Sequence, residues 1–338
     1  MNDVIIVDAH GGDNAPAEIV KGCVRAVRDY GAKILLVGRE NEIGEVAKRE
    51  KLDLSGITIH PADDIITMED DPVSVVRAHK NCSMAEGMRL LAAGEGGAFV
   101  SAGSTGALVV GSRLIVKNIR GIKRAALATV LPCEGGSYLL MDCGANSECK
   151  PTFLRDFAVM GSTYMNVIRK VHSPRVGLLC NGTEDHKGTD LTREAKELIA
   201  SSGVNFVGYV EGRDAPLGAV DVLVTDGFSG NIYLKTVEGM GKMISNGLKK
   251  SLKKNPVRML GAGIASGALN DFKKQMDYKE YGGAPLLGLN KPVIKAHGTA
   301  DEKVIAITVR QAMDYLAGNV NERIEQSLAS LPTDENEE

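Results

Sequence analysis

Residues 4–37 read VIIVDAHGGDNAPAEIVKGCVRAVRDYGAKILLV, and this stretch predicts a strand, a helix and a second strand. The apolar run at residues 4–7 ends in an aspartate and is soon followed by two glycines, which is typical of a strand that enters a tight turn. Pro16 opens an amphipathic segment, and Gly31 is expected to end it. Residues 33–37 are again apolar, so the unit returns to the sheet.

The same alternation continues along the chain. Further apolar runs lie at residues 57–59, 98–100, 127–130, 138–141, 176–179, 204–207 and 220–224. Helical patterns separate many of them, which predicts an α/β fold with a mostly parallel sheet and helices on both faces. We expect residues 1–330 to form a single large α/β unit and the acidic residues 331–338 to form a disordered tail.

Composition narrows the class of protein. The chain has 338 residues, 40 Lys plus Arg against 43 Asp plus Glu, and only 4% aromatic residues, which argues against a nucleic-acid binder. Its six cysteines form no C-x-x-C pair, and the N-terminus has no signal-peptide core. The longest uncharged stretch, residues 96–112, is interrupted by small and polar residues. We therefore expect a soluble cytoplasmic protein.

Five predicted strands are followed by glycine turns with polar side chains. The turns are DAHGGD at 8–13, SAGSTGA at 101–107, DCGAN at 142–146, NGTEDHKG at 181–188 and DGFSGN at 226–231. Ligands of open α/β sheets bind beyond the carboxyl ends of the strands, so these turns are predicted to converge on one site.

The turn at residues 101–107, here called the anion loop, is the most informative. It precedes an apolar stretch, so its N–H groups are expected at a helix N-terminus, with the hydroxyls of Ser104 and Thr105 as added donors. It lacks the Walker and G-x-G-x-x-G patterns of nucleotide sites. An ordinary glycine-rich turn with a helix cap stays open as the alternative. Among possible cationic partners, Lys187 and Lys235 rank highest because each lies within or shortly after a glycine turn.

Other catalytic patterns are absent from the sequence. It has no G-x-S-x-G elbow, and its histidines lack H-E-x-x-H or a similar metal-ligand spacing. Cys143 and Cys180 lie beside glycine turns, where small residues that fill tight space explain them better than nucleophiles do.

Seven blocks of the sequence together resemble one known family. They are DAHGGDNAP, VSAGSTGAL, MDCGANSECKP, VGLLCNGTEDHKG, VEGRD, TDGFSGNIYLKTVEG and YGGAPLLGL followed by VIKAHG. Their order over residues 4–317 resembles that of the bacterial phosphate acyltransferases of phospholipid synthesis. The family usually has methionine in place of His10, asparagine in place of Ser104 and serine in place of Cys82.

The resemblance implies a homodimer with a three-layer α/β/α sandwich similar to isocitrate and isopropylmalate dehydrogenases. It also implies transfer of a long-chain acyl group from acyl carrier protein to inorganic phosphate. A membrane acyltransferase would then pass the acyl group to glycerol 3-phosphate. Phosphate is largely a dianion at neutral pH and a thiolate leaves readily, so this chemistry can proceed without a metal or a redox cofactor.

We hypothesise direct attack by phosphate, with the anion loop and Lys187 holding the anion and Asn231 or a loop N–H stabilising the thioester oxyanion. A covalent acyl-cysteine route stays open as the alternative. The remaining candidate substrate- and phosphate-binding residues are Asp8, Gly11, Gly12, Ser101, Gly103, Ser104, Thr105, Gly106, Asn146, Asn181, Gly182, Asp226 and Gly227.

Residues 247–276, here called the basic segment, carry seven basic residues and one acidic residue around an uncharged stretch at 259–269. We expect a helix, an apolar tip and a second helix that contact acyl carrier protein or an anionic membrane surface. A helical hairpin that packs in a dimer is the alternative. The candidate contact residues are Lys253, Lys254, Arg258, Leu260, Ile264 and Lys273.

Three other functions stay in view. A phosphate acetyltransferase acting on acetyl-CoA would use similar anion loops with a small acyl pocket. An NAD-dependent dehydrogenase of related fold would need an acidic metal cluster and an adenosine site, which the sequence does not assemble. A non-catalytic membrane scaffold would leave five polar glycine turns unexplained.

Overall fold

The computed structural model describes residues 3–275 and 281–331. The strands are β1 (Val4–Asp8), β2 (Lys33–Gly38), β3 (Ile57–Pro61), β4 (Ala98–Ser101), β5 (Ala126–Cys133), β6 (Gly136–Met141), β7 (Val176–Cys180), β8 (Phe206–Glu211), β9 (Val222–Val224), β10 (Ala284–Leu287) and β11 (Val293–Lys295). The α-helices are α1 (Ala17–Tyr30), α2 (Glu40–Glu50), α3 (Ser83–Ala93), α4 (Thr105–Gly111), α5 (Pro151–Arg169), α6 (Asp190–Ala200), α7 (Gly227–Leu252), α8 (Pro256–Ile264), α9 (Ser266–Gln275), α10 (Glu302–Ala317) and α11 (Val320–Ala329).

One sheet contains all eleven of these strands, in the order β3-β2-β1-β4-β11-β10-β5-β6-β9-β7-β8. Neighbours are parallel except where β10 meets β11 and β5, and where β5 meets β6. The half from β3 to β11 therefore runs opposite to the half from β6 to β8.

Alternate strand residues pack into different hydrophobic layers. Ile6, Phe99 and Leu140 belong to one cluster that lies along a single face of both halves. The opposite face is covered by α1 and α10 on one half, where Val7 is buried, and by α5 and α11 on the other, where Met141 is buried. Strands buried on both faces with helices above and below form a three-layer sandwich. The predicted α/β class and mostly parallel sheet are thus confirmed.

The register at the centre of the sheet determines how far the two halves are offset along the strand direction. Lys295 at the end of β11 pairs with Ala284 of β10, and two residues further on Leu286 pairs with Leu127 of β5. The N–H of Leu127 in turn donates to the carboxylate of Asp142, directly after β6. Two residues of strand span about 7 Å. The carboxyl ends of the oppositely directed halves therefore lie at nearly the same level, and their loops face each other.

Several sequence expectations differ from the structure. The predicted strand at 204–207 lies at Phe206–Glu211, and the central strands β10 and β11 were not predicted at all. Both are short, and β10 contains a proline, so their apolar runs are too brief to read as strands. Residues 332–338 of the expected tail lie outside the described residues.

The basic segment is more helical than expected. Asn255 caps α8, and Pro256 is its first residue, so the uncharged stretch that was predicted to be a tip is helical instead. Lys253 and Lys254 follow the end of α7, and Arg258 lies in the first turn of α8. The backbone of Lys273 is in α9, and its side chain lies outside the described residues. Across the described ranges, the helices are too short or too polar to cross a bilayer.

Replacing Gly230 with alanine is expected to destabilise the fold. A methyl group there would overlap the carbonyl oxygen of Asp142, because α7 crosses the end of β6 at this glycine. We expect the free energy of unfolding to fall by about 3 kcal/mol. Gly239→Ala on the same helix, where an added Cβ meets nothing within 4 Å, should instead stabilise by about 0.5–1 kcal/mol. Urea unfolding measures both, and equal effects would contradict this packing.

Candidate active site

Asp8 organises the loops at the end of the first half of the sheet. Its side chain is 2% exposed. One carboxylate oxygen accepts the hydroxyl of Ser83 at 2.6 Å and the N–H of His10 at 3.1 Å, and the other accepts the hydroxyl of Ser101 at 2.6 Å. Ser101 Oγ in turn accepts the N–H of Gly103 at 3.0 Å. Asp8 and Ser101, which were predicted as substrate ligands, therefore also support the backbone of the anion loop through these hydrogen bonds.

Two glycines allow the first turn to lie directly against the anion loop. An added Cβ at Gly11 would lie 2.5 Å from the backbone nitrogen of Gly103, and one at Gly12 would lie 2.9 Å from the carbonyl oxygen of Gly298. Gly12 also has a φ of 99°, which favours glycine. The N–H of Asp13 donates to that same Gly298 carbonyl at 2.8 Å. Three chain segments thus meet at this edge.

The anion loop ends in α4, as the sequence predicts. Ser104 caps the helix, its hydroxyl accepting the N–H of Ala107 at 3.5 Å. Thr105 is the first helical residue, and Gly106 packs against the ring of Pro72. The first N–H groups of a helix have no carbonyl of their own helix to donate to, so this turn presents donors.

Lys295 is a functional candidate that sequence reasoning missed. The residue is 8% exposed, and its Nζ donates to the carbonyl oxygen of Ala102 at 3.0 Å and also to that of Ala296. Burial lowers the pKa of Lys295 to about 8, against the opposing effect of Asp8 and Asp13 and with help from Lys235. The available signal was a lysine that ends an apolar run before AHG, in the quoted VIKAHG block.

A second cluster lies at the end of β6, around Asp142. This fully buried carboxylate accepts the N–H groups of Leu127, Gly144, Ala145 and Asn146. The Asn146 amide donates to Asp142 at 2.9 Å and to the Ala125 carbonyl at 2.8 Å, so both of its amide hydrogens are engaged. Asn146 therefore shapes the turn, rather than binding substrate through its amide hydrogens.

Helix α7 begins beside this cluster. Asp226 caps it by accepting the N–H groups of Phe228 and Ser229, and the N–H of Gly227 donates to the carbonyl of Asn146 at 2.8 Å. Asn231 lies one turn further on. It is exposed, and its Nδ2 donates to the carbonyl of Cys143 at 3.2 Å.

Lys235 links the two clusters. Its charge adds to the lowering of the Lys295 pKa in the first cluster and opposes the burial that raises the Cys143 pKa in the second. It is itself exposed and pairs at 2.9 Å with Glu238, which is buried. From Asp226 to Lys235, nine helical residues span about 14 Å. Helix α7 thus bridges the space between the loops of the two halves.

The turn that carries Lys187 forms a third group of predicted residues. Asn181 accepts the N–H of Gly188 at 3.1 Å, and an added Cβ at Gly182 would lie 3.0 Å from the Lys187 side chain. Lys187 Nζ is 4.0 Å from Glu184, and Lys196 of α6 pairs with Asp185 at 2.5 Å. These contacts stay within the turn and α6, and none of them joins it to the other two groups.

The cysteines beside the glycine turns differ in accessibility. Cys143 is 1% exposed and its thiol donates to the carbonyl of Leu127 at 3.1 Å. Burial raises the pKa of Cys143 to about 12. A buried neutral thiol is a poor nucleophile, so Cys143 is structural. Cys180 is half-buried and its thiol donates to Asn181 Oδ1 at 3.4 Å.

The residues that depart from the family pattern have structural partners. His10 is buried, and its Nε2 accepts the N–H of Arg39 at 2.9 Å. Burial lowers the pKa of His10, so the ring is neutral near pH 7. Cys82 caps α3, its sulfur accepting the N–H of Ala85 at 3.4 Å. His10 and Cys82 thus hold their loops through these hydrogen bonds, as Ser104 does by capping α4.

The fold is shared with solved structures of phosphotransacetylases and of a dehydrogenase. The chain aligns over 97% of its length with a phosphotransacetylase from Streptococcus pyogenes, covering 95% of that chain at 19% identity and a TM-score of 0.63. EutD phosphotransacetylase from Staphylococcus aureus gives a TM-score of 0.59 at 20% identity, with 92% and 94% covered. A putative 4-hydroxythreonine-4-phosphate dehydrogenase from Salmonella typhimurium gives 0.51 at 14% identity, with 93% and 99% covered. The predicted dehydrogenase-like architecture is confirmed.

Sequence relatives specify the family. A family model described as fatty acid synthesis protein matches residues 4–323. The phosphate acyltransferase of Thermoanaerobacterium thermosaccharolyticum is 43% identical over 330 residues, which is 98% of each chain. That of Oceanobacillus iheyensis is 42% identical over 328 residues, covering 97% of this chain and 98% of its own. The chain therefore belongs to the phosphate acyltransferase family, and it is an acyltransferase that transfers an acyl group to phosphate.

Proposed function

We propose that the acyl donor is a long-chain thioester of acyl carrier protein and that phosphate binds at the anion loop. The main support for this site is the meeting of the two loop clusters, because the register through β10 and β5 places Lys295 and Asp142 about two residues apart along the strand direction. A phosphate at the anion loop would lie between the start of α4 and Lys235 of α7. Charge neutralisation and positioning then supply the catalysis.

The reaction we propose is direct attack. An oxygen of the phosphate dianion forms a bond to the thioester carbon, and the carbonyl electrons move to oxygen. Asn231 uses one amide hydrogen for the Cys143 carbonyl, which leaves the other to donate to that oxyanion. Collapse of the intermediate expels the carrier thiolate, which needs little acid help because its pKa is about 8.5. Acyl phosphate and free carrier thiol are the products.

Lys187 is proposed to approach the phosphate as a further cation. Its side chain is 37% exposed, and its Nζ is 4.0 Å from a carboxylate oxygen of Glu184. Such an exposed ion pair is weak, so a phosphate can replace Glu184 as the partner of the lysine. Asn181 holds the base of the turn through Gly188, so the turn is supported at the point from which the lysine extends. The acyl-Cys180 route stays as the alternative, because that thiol is only half-buried.

The basic segment is proposed to bring the enzyme to acyl carrier protein and to an anionic membrane surface. Val257, Leu260 and Ile264 recur at helical spacing along α8, with Leu260 70% and Ile264 83% exposed. Lys253, Lys254 and Arg258 flank this apolar face. An amphipathic helix with basic flanks binds anionic lipid surfaces. The enzyme would then be cytoplasmic and peripherally attached, beside a membrane glycerol-3-phosphate acyltransferase that consumes its product.

A homodimer is also proposed. Ile232, Met240, Met243 and Ile244 are exposed on α7, and such an apolar stripe supports packing against a second copy. Sedimentation velocity of the intact chain measures this state.

Palmitoyl acyl carrier protein and inorganic phosphate should together give a hydroxamate-trappable acyl phosphate and release carrier thiol in equal amount. Palmitoyl-CoA, acetyl-CoA and a reaction without phosphate are the controls. Turnover of acetyl-CoA alone would contradict the proposed donor while leaving acyl transfer to phosphate intact.

Lys187→Ala should raise the KM for phosphate about tenfold and lower kcat, because one cation near the dianion is lost. Lys196→Ala is the matched control, since it removes a lysine that orders the same turn through Asp185. Steady-state kinetics at several phosphate concentrations measure both variants. Equal losses would mean that turn order matters rather than contact with phosphate.

Leu260→Glu should abolish most cosedimentation with anionic phospholipid vesicles, because a carboxylate would have to enter the apolar interface. Leu217→Glu is the control, as Leu217 is 66% exposed on a different part of the surface. Binding of the wild type should also weaken as salt rises. Full cosedimentation of Leu260→Glu would sink the insertion proposal.

A further inference from the structure

Lys295 is a buried cation that the direct-attack mechanism does not use. It ends β11 directly beside Ser101 of β4, and Ala296 N–H donates to the Ser101 carbonyl at 2.9 Å. The backbone at Lys295 is therefore held against the strand from which the anion loop departs. Burying an ammonium group costs free energy unless hydrogen bonds and opposite charges compensate it. The burial of Lys295 therefore points to a role for this residue.

Its hydrogen bonds are directed at the loop backbone. Nζ carries three hydrogens when protonated, and the carbonyl oxygens of Ala102 and Ala296 take two of them. The Ala102 carbonyl belongs to the second residue of the anion loop. The hydrogen bond from Nζ therefore fixes the backbone of the loop directly before Gly103.

Its charge balances the carboxylate beneath the loop. The charged groups that act on Lys295 are Asp8 from β1, Asp13 from the following turn and Lys235 from α7. Asp8 is buried under the loop and would repel a phosphate above it if it were uncompensated. The ammonium group of Lys295, which is also buried, supplies the opposite charge.

We propose that Lys295 is a positioning residue for phosphate, which clamps the Ala102 carbonyl inward and neutralises Asp8 so that the anion loop can accept a dianion. This proposal rests on phosphate binding at the anion loop, as put forward above. It differs from the roles given to Lys187 and Asn231, because Lys295 acts through the loop and its charge. It assigns a function to a residue outside the five glycine turns.

The test replaces the lysine with a side chain of similar length and no charge. Lys295→Met should raise the KM for phosphate about tenfold or more while the KM for the acyl donor stays within about twofold. Lys291→Met is the matched control, because Lys291 is exposed just before the same strand. A KM for phosphate equal to that of the wild type would overturn the proposal.

A pH profile separates this role from a purely structural one. Because the pKa of Lys295 is about 8, the group is charged below that pH and loses its charge as pH rises through it. The wild-type kcat/KM for phosphate should therefore fall above about pH 8, and this alkaline fall should vanish in Lys295→Met. A fall of the same size and midpoint in the variant would contradict the assignment. The alkaline fall in the wild type can be measured even if the variant does not fold.

Two further variants keep the outcomes distinct. Thr105→Val alters the anion loop itself; if it raises the KM for phosphate and Lys295→Met does not, the loop binds phosphate and the Lys295 proposal fails. If neither variant changes that KM, phosphate binds elsewhere and both proposals fail. Lys295→Ala, assayed with added methylammonium, should regain part of its kcat/KM for phosphate, and the same addition should leave Lys291→Ala unchanged. No recovery in a variant that circular dichroism shows to be folded would count against the charge role.

Discussion

The reversal of strand direction at the centre of the sheet is the constraint on which the site depends. A parallel sheet gathers its functional loops at one edge, and two oppositely directed halves would normally place them at opposite edges. Here β10 and the long β5 offset the halves so that Lys295 and Asp142 differ by about two residues along the strand direction. Loops from both halves consequently lie at nearly the same level of the sheet.

Each half closes its loops around a buried carboxylate. Asp8 gathers two hydroxyls and an N–H, and Asp142 gathers N–H groups from its own turn and from β5. A buried carboxylate with several donors fixes a loop more firmly than neutral turns would, because each hydrogen bond to a charged group is worth more. Such preorganised loops suit a reaction whose substrates bring their own nucleophile and leaving group.

The sequence predicted the parts of this arrangement that local patterns encode. The strand-turn-helix unit at β1, the cap and start of α4, and the five glycine turns all follow from neighbouring residues. Three things did not. The strands β10 and β11 are too short to show a period, the Asp8–Ser101 contact joins residues 93 positions apart, and Lys295 is conspicuous only once it is seen to be buried. Asp8, Ser101, Asn146 and Asp226 were predicted as ligands from local pattern alone, and the structure adds that each of them also holds a loop or the start of a helix in place.

Helix α7 connects the proposed active site to the proposed carrier and membrane surface. It begins directly after its cap Asp226 and carries Asn231 and Lys235 past the loops of both halves. It ends at Leu252, where the basic residues Lys253 and Lys254 follow. From Lys235 to Leu252 a helix spans about 25 Å. A helix of this length holds the distance between site and surface nearly fixed, whereas a loop would let it vary. Under the proposed function, a long-chain product released from the site would therefore leave at a set distance from the apolar face of α8, which suits the proposed peripheral attachment.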